Sequence, residues 1–226
     1  MKPKSQTTQE RLTARPVIWF ALACVLLAAD SAHANLLYNG NFNTPAGGAP
    51  PTGWTPWSWG TGWANHENNA GVTYDGSYYL VTGASGGSGG GGGFFQNVSA
   101  TAGMQYKLDV LSGADAWWLP TGTMTMFFLD SSAVELGSAT RNTVDPTEYG
   151  GAYDIPHPWA PYSLTATAPA GTTQVKVEFA ANWATGSIWF ENASLSVIPE
   201  PSVAGLLALG SVLLLGYRSR RNAARA

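Results

Sequence analysis

Tryptophan is the residue type in this 226-residue sequence best suited to recognise a ligand, because nine of the ten tryptophans lie between residues 35 and 197. Flat apolar faces of sugars stack on exposed aromatic rings, while Asn, Asp and Glu side chains at the rim hydrogen-bond the hydroxyl groups. The stretch 57–69 contains residues of both kinds, and a tryptophan pair precedes Pro120. The sequence therefore predicts five candidate glycan-binding residues: Trp57, Trp59, Trp63, Trp117 and Trp118.

The alternative role for tryptophan is packing, since large aromatic side chains also fill the cores of β-sandwiches. We predict this core role for Trp54, Trp159 and Trp189. Neighbouring residues of an extended segment point to opposite sides, so one ring of the pair at 117–118 is expected to be exposed.

Catalytic signatures are weak in the same region. A glycosidase needs two carboxylates placed across a cleft, and nothing in the spacing of the eleven acids between residues 35 and 198 singles out a pair. His66 and His157 are the only histidines there and lack a metal-binding spacing, and no serine lies in a Gly-x-Ser-x-Gly turn. We predict a non-catalytic domain, with a glycan-active hydrolase as the less favoured alternative.

The charge of residues 35–198 restricts the class of partner. Three basic residues against eleven acidic ones give a net charge of −8. Binding to a phosphate backbone depends on clustered Lys and Arg side chains. The composition therefore excludes nucleic acid as a partner. The only cysteine, Cys24, lies upstream of this region, so its stability cannot depend on a disulfide.

Short alternating or apolar runs, separated by Gly, Pro, Asn and Asp, predict an all-β domain. Turns are expected at 75–77 and 169–171. We expect the glycine-rich stretch 83–93 to be a flexible connector and 142–161 to be a long loop. The nine predicted strands cover residues 36–42, 53–59, 77–82, 93–98, 105–112, 123–130, 160–168, 173–181 and 187–197.

The N-terminal 34 residues have the features of a secretory signal peptide. Four basic residues precede an apolar run at 17–29, and the small-x-small sequence Ala-His-Ala follows at 32–34. The apolar run is shorter than the roughly 20 residues that a retained membrane span needs. We predict a signal helix that is removed by cleavage after Ala34, leaving a mature domain over residues 35–197. Lipidation at Cys24 is the alternative, and the residues before it fit a lipobox poorly.

The C-terminal region, residues 198–226, has three parts. Pro199, Glu200 and Pro201 precede an uncharged apolar segment at 203–217, and four arginines follow. The prolines end the preceding strand, and the apolar segment is predicted to be a short transmembrane helix. The arginines keep the C-terminus on the cytoplasmic side. A plain membrane anchor is one interpretation of this arrangement.

The same order of motif, helix and arginine cluster resembles the PEP-CTERM sorting signal of Gram-negative bacteria. That resemblance implies recognition by an exosortase, a membrane transpeptidase-like enzyme. It also implies that the protein is then released from the helix, or transferred to the cell surface or the exopolysaccharide matrix.

The mature domain carries a second resemblance. The segments 35–42 (NLLYNGNF), 94–108 (FFQNV, then GMQYKL) and 188–192 (IWFEN) are similar, in that order, to galactose-binding-like, carbohydrate-binding-module jelly rolls. The resemblance implies a jelly-roll β-sandwich. Many members of the family hold a structural calcium between an acid after the first-strand Phe and an acid on the last strand, which here implies a site at Asn43 and Glu191. Asn43 stands where a carboxylate is usual, and the alternative for Glu191 is a plain edge residue.

These features together predict an exported cell-surface or extracellular-matrix protein of a Gram-negative bacterium. Its C-terminal helix would hold it in the inner membrane until the exosortase acts. The mature domain would then associate with extracellular polysaccharide without catalysis. A purely structural or adhesive surface protein without a glycan site is the main alternative.

Overall fold

Ten β-strands make up the regular structure of the computed structural model, which describes residues 34–44, 50–85, 89–115, 121–144, 157–182 and 186–198. Within those ranges there is no helix that could cross a bilayer. The segments predicted as signal helix and transmembrane helix, 17–29 and 203–217, lie outside them. The strands are β1 (Thr55–Gly60), β2 (Gly62–Glu67), β3 (Tyr79–Ala84), β4 (Gly90–Ser99), β5 (Gln105–Ala114), β6 (Thr121–Leu129), β7 (Glu135–Val144), β8 (His157–Thr167), β9 (Gln174–Asn182) and β10 (Gly186–Ile198).

The strands form two five-stranded antiparallel sheets, which confirms the predicted all-β class. Sheet A has the order β1-β4-β9-β6-β7, and sheet B has the order β2-β3-β10-β5-β8. One apolar core lies between their inward faces. Strand β9 shows how the sequence builds it: Val175, Val177 and Phe179 are fully buried in the core, and the residues between them lie half-buried on the outer face.

The segment 36–42 is a turn, so the predicted opening strand is wrong. Asn39 and Phe42 have φ angles of 51° and 59°, in the left-handed region that a strand does not use. The main-chain groups of Tyr38 bond to a side chain here and not to a neighbouring strand. Tyr38 N donates to Gln96 Oε1 at 2.7 Å, and Tyr38 O accepts from Gln96 Nε2 at 2.9 Å. The turn thereby directs the Phe42 ring into the core.

Two strands, β2 and β7, were not predicted from the sequence. Each is an edge strand, β2 of sheet B and β7 of sheet A, and most of their residues are at least partly exposed. A strand with little buried surface shows weak hydrophobic alternation, so the pattern did not predict it. The two ends of the long loop expected at 142–161 are strand instead, because β7 ends at Val144 and β8 begins at His157. Residues 145–156 lie outside the described ranges.

Both ends of the glycine-rich stretch 83–93 are strand and not the predicted connector, because residues 83–84 belong to β3 and 90–93 to β4, and residues 86–88 lie outside the described ranges. Here β4 of sheet A and β2 of sheet B come into main-chain contact. A Cβ on Gly92 would lie 2.2 Å from the Trp63 carbonyl oxygen, and a Cβ on Gly62 would lie 1.9 Å from the Gly91 carbonyl oxygen. Only glycine fits such a close approach, so the glycines allow the two sheets to meet at this corner.

Replacing Gly92 by alanine is expected to destabilise the domain by about 1–3 kcal/mol, the usual cost of overpacking. The added methyl group would meet main-chain atoms of β2, which cannot move aside as a flexible side chain would. The free energy of unfolding from urea titration, followed by tryptophan fluorescence, measures the effect. Gly71→Ala is the matched control, since the nearest atom to its Cβ would be 3.5 Å away, and it should change stability by less than about 0.5 kcal/mol. Equal stability of the two variants would contradict the close-approach argument.

Candidate functional site

The segment made of β1, Thr61 and β2 carries the three candidate tryptophans of the stretch 57–63. It crosses from one sheet to the other, because β1 is an edge strand of sheet A and β2 an edge strand of sheet B. Thr61 alone separates the two strands. The residues before and after Thr61 therefore belong to opposite layers of the sandwich.

This crossing separates the candidate tryptophans. Trp57 pairs with Gly93 and lies on the outer face of sheet A, because the next residue of β4, Phe94, points into the core. Trp59 is two residues further along β1 and shares that face. Trp63 pairs with glycine in β3 and lies on the outer face of sheet B. The structure thus brings Trp57 and Trp59 together and places Trp63 on the opposite side of the domain.

Trp57 lies across the neighbouring strand of sheet A. A Cβ on Gly93 would be only 3.0 Å from Trp57 Cε2, so the ring occupies the space that a side chain would fill. The Trp57 Nε1–H group is buried and has no acceptor among the described residues. The pyrrole edge therefore faces protein, and stacking is the contact that this ring can offer a ligand. Trp59, on the same face, is 42% exposed.

Small side chains continue from Trp57 across the outer face of sheet A. Gly93 pairs with Ala180 of β9, and Ala180 pairs with Thr123 of β6. Because paired residues of an antiparallel sheet lie side by side on one face, these positions form a low strip perpendicular to the strands, in which Gly93 and Ala180 are buried and Thr123 is half-buried. The strip begins at the two tryptophans, and we call the strip together with Trp57 and Trp59 the sheet A surface.

A charged and aromatic group lies beside the strip. Lys176 Nζ is 4.1 Å from the centre of the Phe127 ring and 5.4 Å from that of Phe95. The same ammonium group is 3.3 Å from Glu178 Oε2. Hydrogen-bond donors and acceptors are thus held at fixed positions next to an apolar strip, which is the combination that polyhydroxylated ligands require.

The outer face of sheet B repeats the packing of a tryptophan on a glycine. A Cβ on Gly83 would lie 2.9 Å from Trp63 Cζ2. Trp159 and Trp189 are half-buried on the same face, with ring centroids 5.9 Å apart. Their predicted core position is therefore wrong, because the alternation of β8 and β10 directs them outward. Trp54 is 4% exposed and lies in the core as predicted.

Polar groups border these rings on sheet B. Asn65 and Glu67 are exposed in β2 on the same face as Trp63, and Asn65 Nδ2 donates to Glu67 Oε1 at 3.4 Å. Tyr79 OH donates to Glu67 Oε2 at 3.4 Å. Burial and the nearby Glu67 carboxylate raise the pKa of Tyr79 to about 12, so its phenol stays protonated. We call Trp63, Asn65, Glu67, Trp159 and Trp189 the sheet B surface.

Glu191 of β10 is a fully buried carboxyl group and not a plain edge residue, since β10 is the central strand of sheet B. Its Oε2 accepts from Tyr74 N at 2.9 Å, and its Oε1 accepts from Ser77 Oγ at 3.0 Å. Burial raises the pKa of Glu191, and the neighbouring Asp75 raises it further. The carboxyl group thereby holds the turn at 74–77, whose predicted position is confirmed.

Asn43 contacts the same segment, because its Oδ1 accepts from Tyr78 N at 3.0 Å. The two residues predicted as calcium ligands thus bind opposite ends of residues 74–78. The atoms that these two residues would offer to a metal are oxygens, as calcium requires, and Asp75 adds a second carboxylate beside Glu191. No group of three His, Cys, Asp or Glu side chains is placed to hold a metal in the described ranges. A calcium ion here would therefore need main-chain carbonyls as well as Asn43, Asp75 and Glu191.

Several predicted site residues lie outside the described ranges. These are Trp117, Trp118, Pro199, Glu200 and Pro201.

Four residues of the sheet A surroundings were not predicted as site residues: Phe95, Phe127, Lys176 and Glu178. The signal for Lys176 and Glu178 lay in the alternation of β9, where the residues between the buried ones must face outward, whereas Phe95 and Phe127 belong to β4 and β6. Recognising their contacts also needed the strand order, which brings β4 and β6 to either side of β9.

Comparison with known proteins finds no matching family model and no match among curated proteins. Among solved structures, the enzymatically active domain of tailspike protein 4 from bacteriophage CBA120 matches with a TM-score of 0.55 at 18% identity. The match covers 73% of this chain and 21% of that one, so the chain spans about a fifth of the tailspike's length.

Two carbohydrate-binding modules match with lower scores. The CBM22-1 xylan-binding domain of Paenibacillus barcinonensis Xyn10C has a TM-score of 0.48 at 14% identity, covering 76% of this chain and 99% of that one. TmCBM61, solved with β-1,4-galactotriose, has a TM-score of 0.46 at 13% identity, covering 73% and 99%. At such identities the likeness concerns the fold alone, and function has to be argued from the site.

Calcium is expected to raise the melting temperature of the protein, and EDTA to reverse the rise. The ion would neutralise the buried Glu191 carboxylate and Asp75, and an ion at a hundredfold excess over its Kd stabilises the fold by about 2.7 kcal/mol. Glu191→Gln should abolish the calcium-dependent rise in melting temperature, because it removes the charged ligand. Differential scanning calorimetry with calcium and with EDTA measures it.

The matched control is Glu135→Gln, at an exposed position of β7, which should keep the full calcium increment. The calcium assignment fails if EDTA leaves the wild-type melting temperature unchanged, or if Glu191→Gln responds to calcium as the wild type does.

Proposed function

We propose that the protein binds polysaccharide without catalysis through the sheet A surface. The observation that carries the proposal is the placement of Trp57 and Trp59 together on the outer face of an edge strand, at one end of a strip of small residues. An indole held on a glycine is rigid before a ligand arrives, so stacking loses little conformational entropy.

A sugar chain on this surface would lie across the strands. Its apolar faces would stack on the tryptophan rings, of which Trp59 is 42% exposed, while Gly93 and Ala180 of the strip are buried and would not contact the sugar. Lys176 could donate to ring hydroxyls and Glu178 could accept from them at the side of the strip. The aromatic contacts supply affinity and the charged pair fixes orientation, a division common in small-ligand sites.

Export and sorting form the second part of the proposal. The basic and apolar residues of 1–34 support secretion, and residues 198–226 support processing by an exosortase at Pro199-Glu200-Pro201. We propose that the C-terminal helix holds the protein in the inner membrane of a Gram-negative bacterium until that step. The domain would then act at the cell surface or in the extracellular matrix.

Retention on polysaccharide tests the binding function. The purified protein is expected to be retained by at least one of amorphous cellulose, insoluble xylan and β-1,4-galactan in a pull-down. Trp57→Ala and Trp59→Ala should each weaken binding about tenfold or more, since loss of an aromatic anchor commonly costs about 2 kcal/mol. Isothermal titration with soluble oligosaccharides gives the Kd.

The matched control is Tyr74→Ala, which removes a 58% exposed aromatic ring away from sheet A and keeps its main-chain N–H for Glu191. It should bind as the wild type does. No retention on any glycan would favour the structural or adhesive alternative, and release of reducing sugar would favour the hydrolase. An affinity unchanged in both tryptophan variants would place binding elsewhere on the domain.

Mass spectrometry of the C-terminus tests the sorting proposal. Protein from cells with an active exosortase should lack the apolar segment 203–217, and protein from cells without that enzyme should retain it. Replacing Glu200 by alanine should give the retained form in both strains. An intact C-terminus in exosortase-competent cells would support a plain membrane anchor instead.

A further inference from the structure

We propose that the domain has a second polysaccharide-binding surface on sheet B and therefore cross-links two polysaccharide chains. The inference rests on the proposed function, because it assigns to the sheet B surface the ligand class proposed for the sheet A surface. It goes further in giving the protein two sites and a bridging role.

The first argument is that the two surfaces share one local arrangement. On sheet A a tryptophan of an edge strand lies on Gly93, with Cε2 3.0 Å from the position of a Cβ. On sheet B a tryptophan of an edge strand lies on Gly83, with Cζ2 2.9 Å from that position. An indole packed against a glycine is thus present on each outer face of the sandwich.

The second argument is the chemistry that surrounds Trp63. Trp189 and Trp159 add two further half-buried rings to the same face. Asn65 and Glu67 are exposed beside them and offer amide and carboxylate groups to sugar hydroxyls. The sheet B surface therefore combines several aromatic rings with polar groups, as the sheet A surface does.

The charge of the sheet B surface favours a neutral polysaccharide. Its flanking ionisable groups are the carboxyls of Glu67 and Asp115. Lys107 is the one lysine or arginine of the described strands in sheet B, and it pairs with Asp109 at 3.0 Å towards the other end of β5. A polyanionic glycan would be repelled there by the exposed Glu67 carboxylate.

The third argument is geometric. The outer faces of a two-layer sandwich look in opposite directions, with the core between them. A single segment of polysaccharide cannot lie on both faces. Two occupied surfaces therefore hold two polysaccharide chains, or two distant segments of one polysaccharide chain, on opposite sides of the domain.

A bridging assay tests the inference. Beads coated with the neutral polysaccharide that retains the protein, xylan or β-1,4-galactan, are mixed with a fluorescein-labelled soluble form of the same polysaccharide. Wild-type protein is expected to increase the labelled chain captured on the beads at least tenfold over beads alone. Labelled polygalacturonate, an acidic probe, should not be captured.

The variants separate the two surfaces. Trp59→Ala and Trp63→Ala should each leave the protein on the beads through the remaining surface and lower capture of the labelled chain about tenfold. The double variant should not be retained. Asn65→Ala, at an exposed position, should lower capture several-fold without a packing change, and Tyr38→Ala, which removes a 61% exposed ring, should leave it unchanged.

Three results would overturn the inference. Retention of the wild type without capture of the labelled chain would mean that it binds through one surface only. Capture that persists in both Trp63→Ala and Asn65→Ala would mean that two protein copies associate and that each binds one polysaccharide chain through its own sheet A surface. Light scattering would then show a dimer. No retention of the wild type at all would overturn the proposed function together with this inference.

Discussion

Main-chain contact between β2 and β4 is the constraint on which the arrangement of this domain depends. The two strands belong to different sheets, and the Cβ positions of Gly92 and Gly62 lie 2.2 and 1.9 Å from carbonyl oxygens of the facing strand. No side chain could fit between them. Because the sheets meet at this corner, one residue, Thr61, is enough to carry the chain from β1 to β2. Both outer faces receive their tryptophans as a result.

The loop that precedes β3 is held in place by hydrogen bonds to two side chains. Glu191 accepts hydrogen bonds from Tyr74 N and Ser77 Oγ, and Asn43 accepts one from Tyr78 N. A buried carboxyl group whose oxygens are satisfied can order a loop, whereas an unsatisfied one would oppose folding. Loop 74–78 is therefore attached to the central strand of sheet B, and this attachment holds Tyr79 beside the ring of Trp159 at 6.2 Å.

The sequence predicted those features whose cause is local. Alternation in β9 identified the buried Val175 and Val177, and the all-β class followed from many such runs. Features with a distant cause were not predictable: the turn at 36–42 depends on Gln96, and the strand at 90–92 depends on main-chain atoms of the facing segment 61–63. The same holds for the candidate site. Trp57, Trp59 and Trp63 are close in sequence, and only the strand order shows that they occupy opposite faces.

The glycines and the tryptophans, which look like separate features of the composition, are physically one arrangement. Gly93 and Gly83 have no side chain, and in each case a main-chain carbonyl oxygen (Phe179 O at 2.5 Å and Gly186 O at 2.0 Å) and the ring of a neighbouring tryptophan lie where a Cβ would be. A methyl group at either position would meet both the carbonyl oxygen and the indole, and would therefore displace the neighbouring strand as well as the ring. The affinity of a stacking site depends on how little freedom its rings lose on binding. These glycines are therefore positioning residues of the two surfaces, although a ligand stacked on the indoles would meet the rings and not the glycines beneath them.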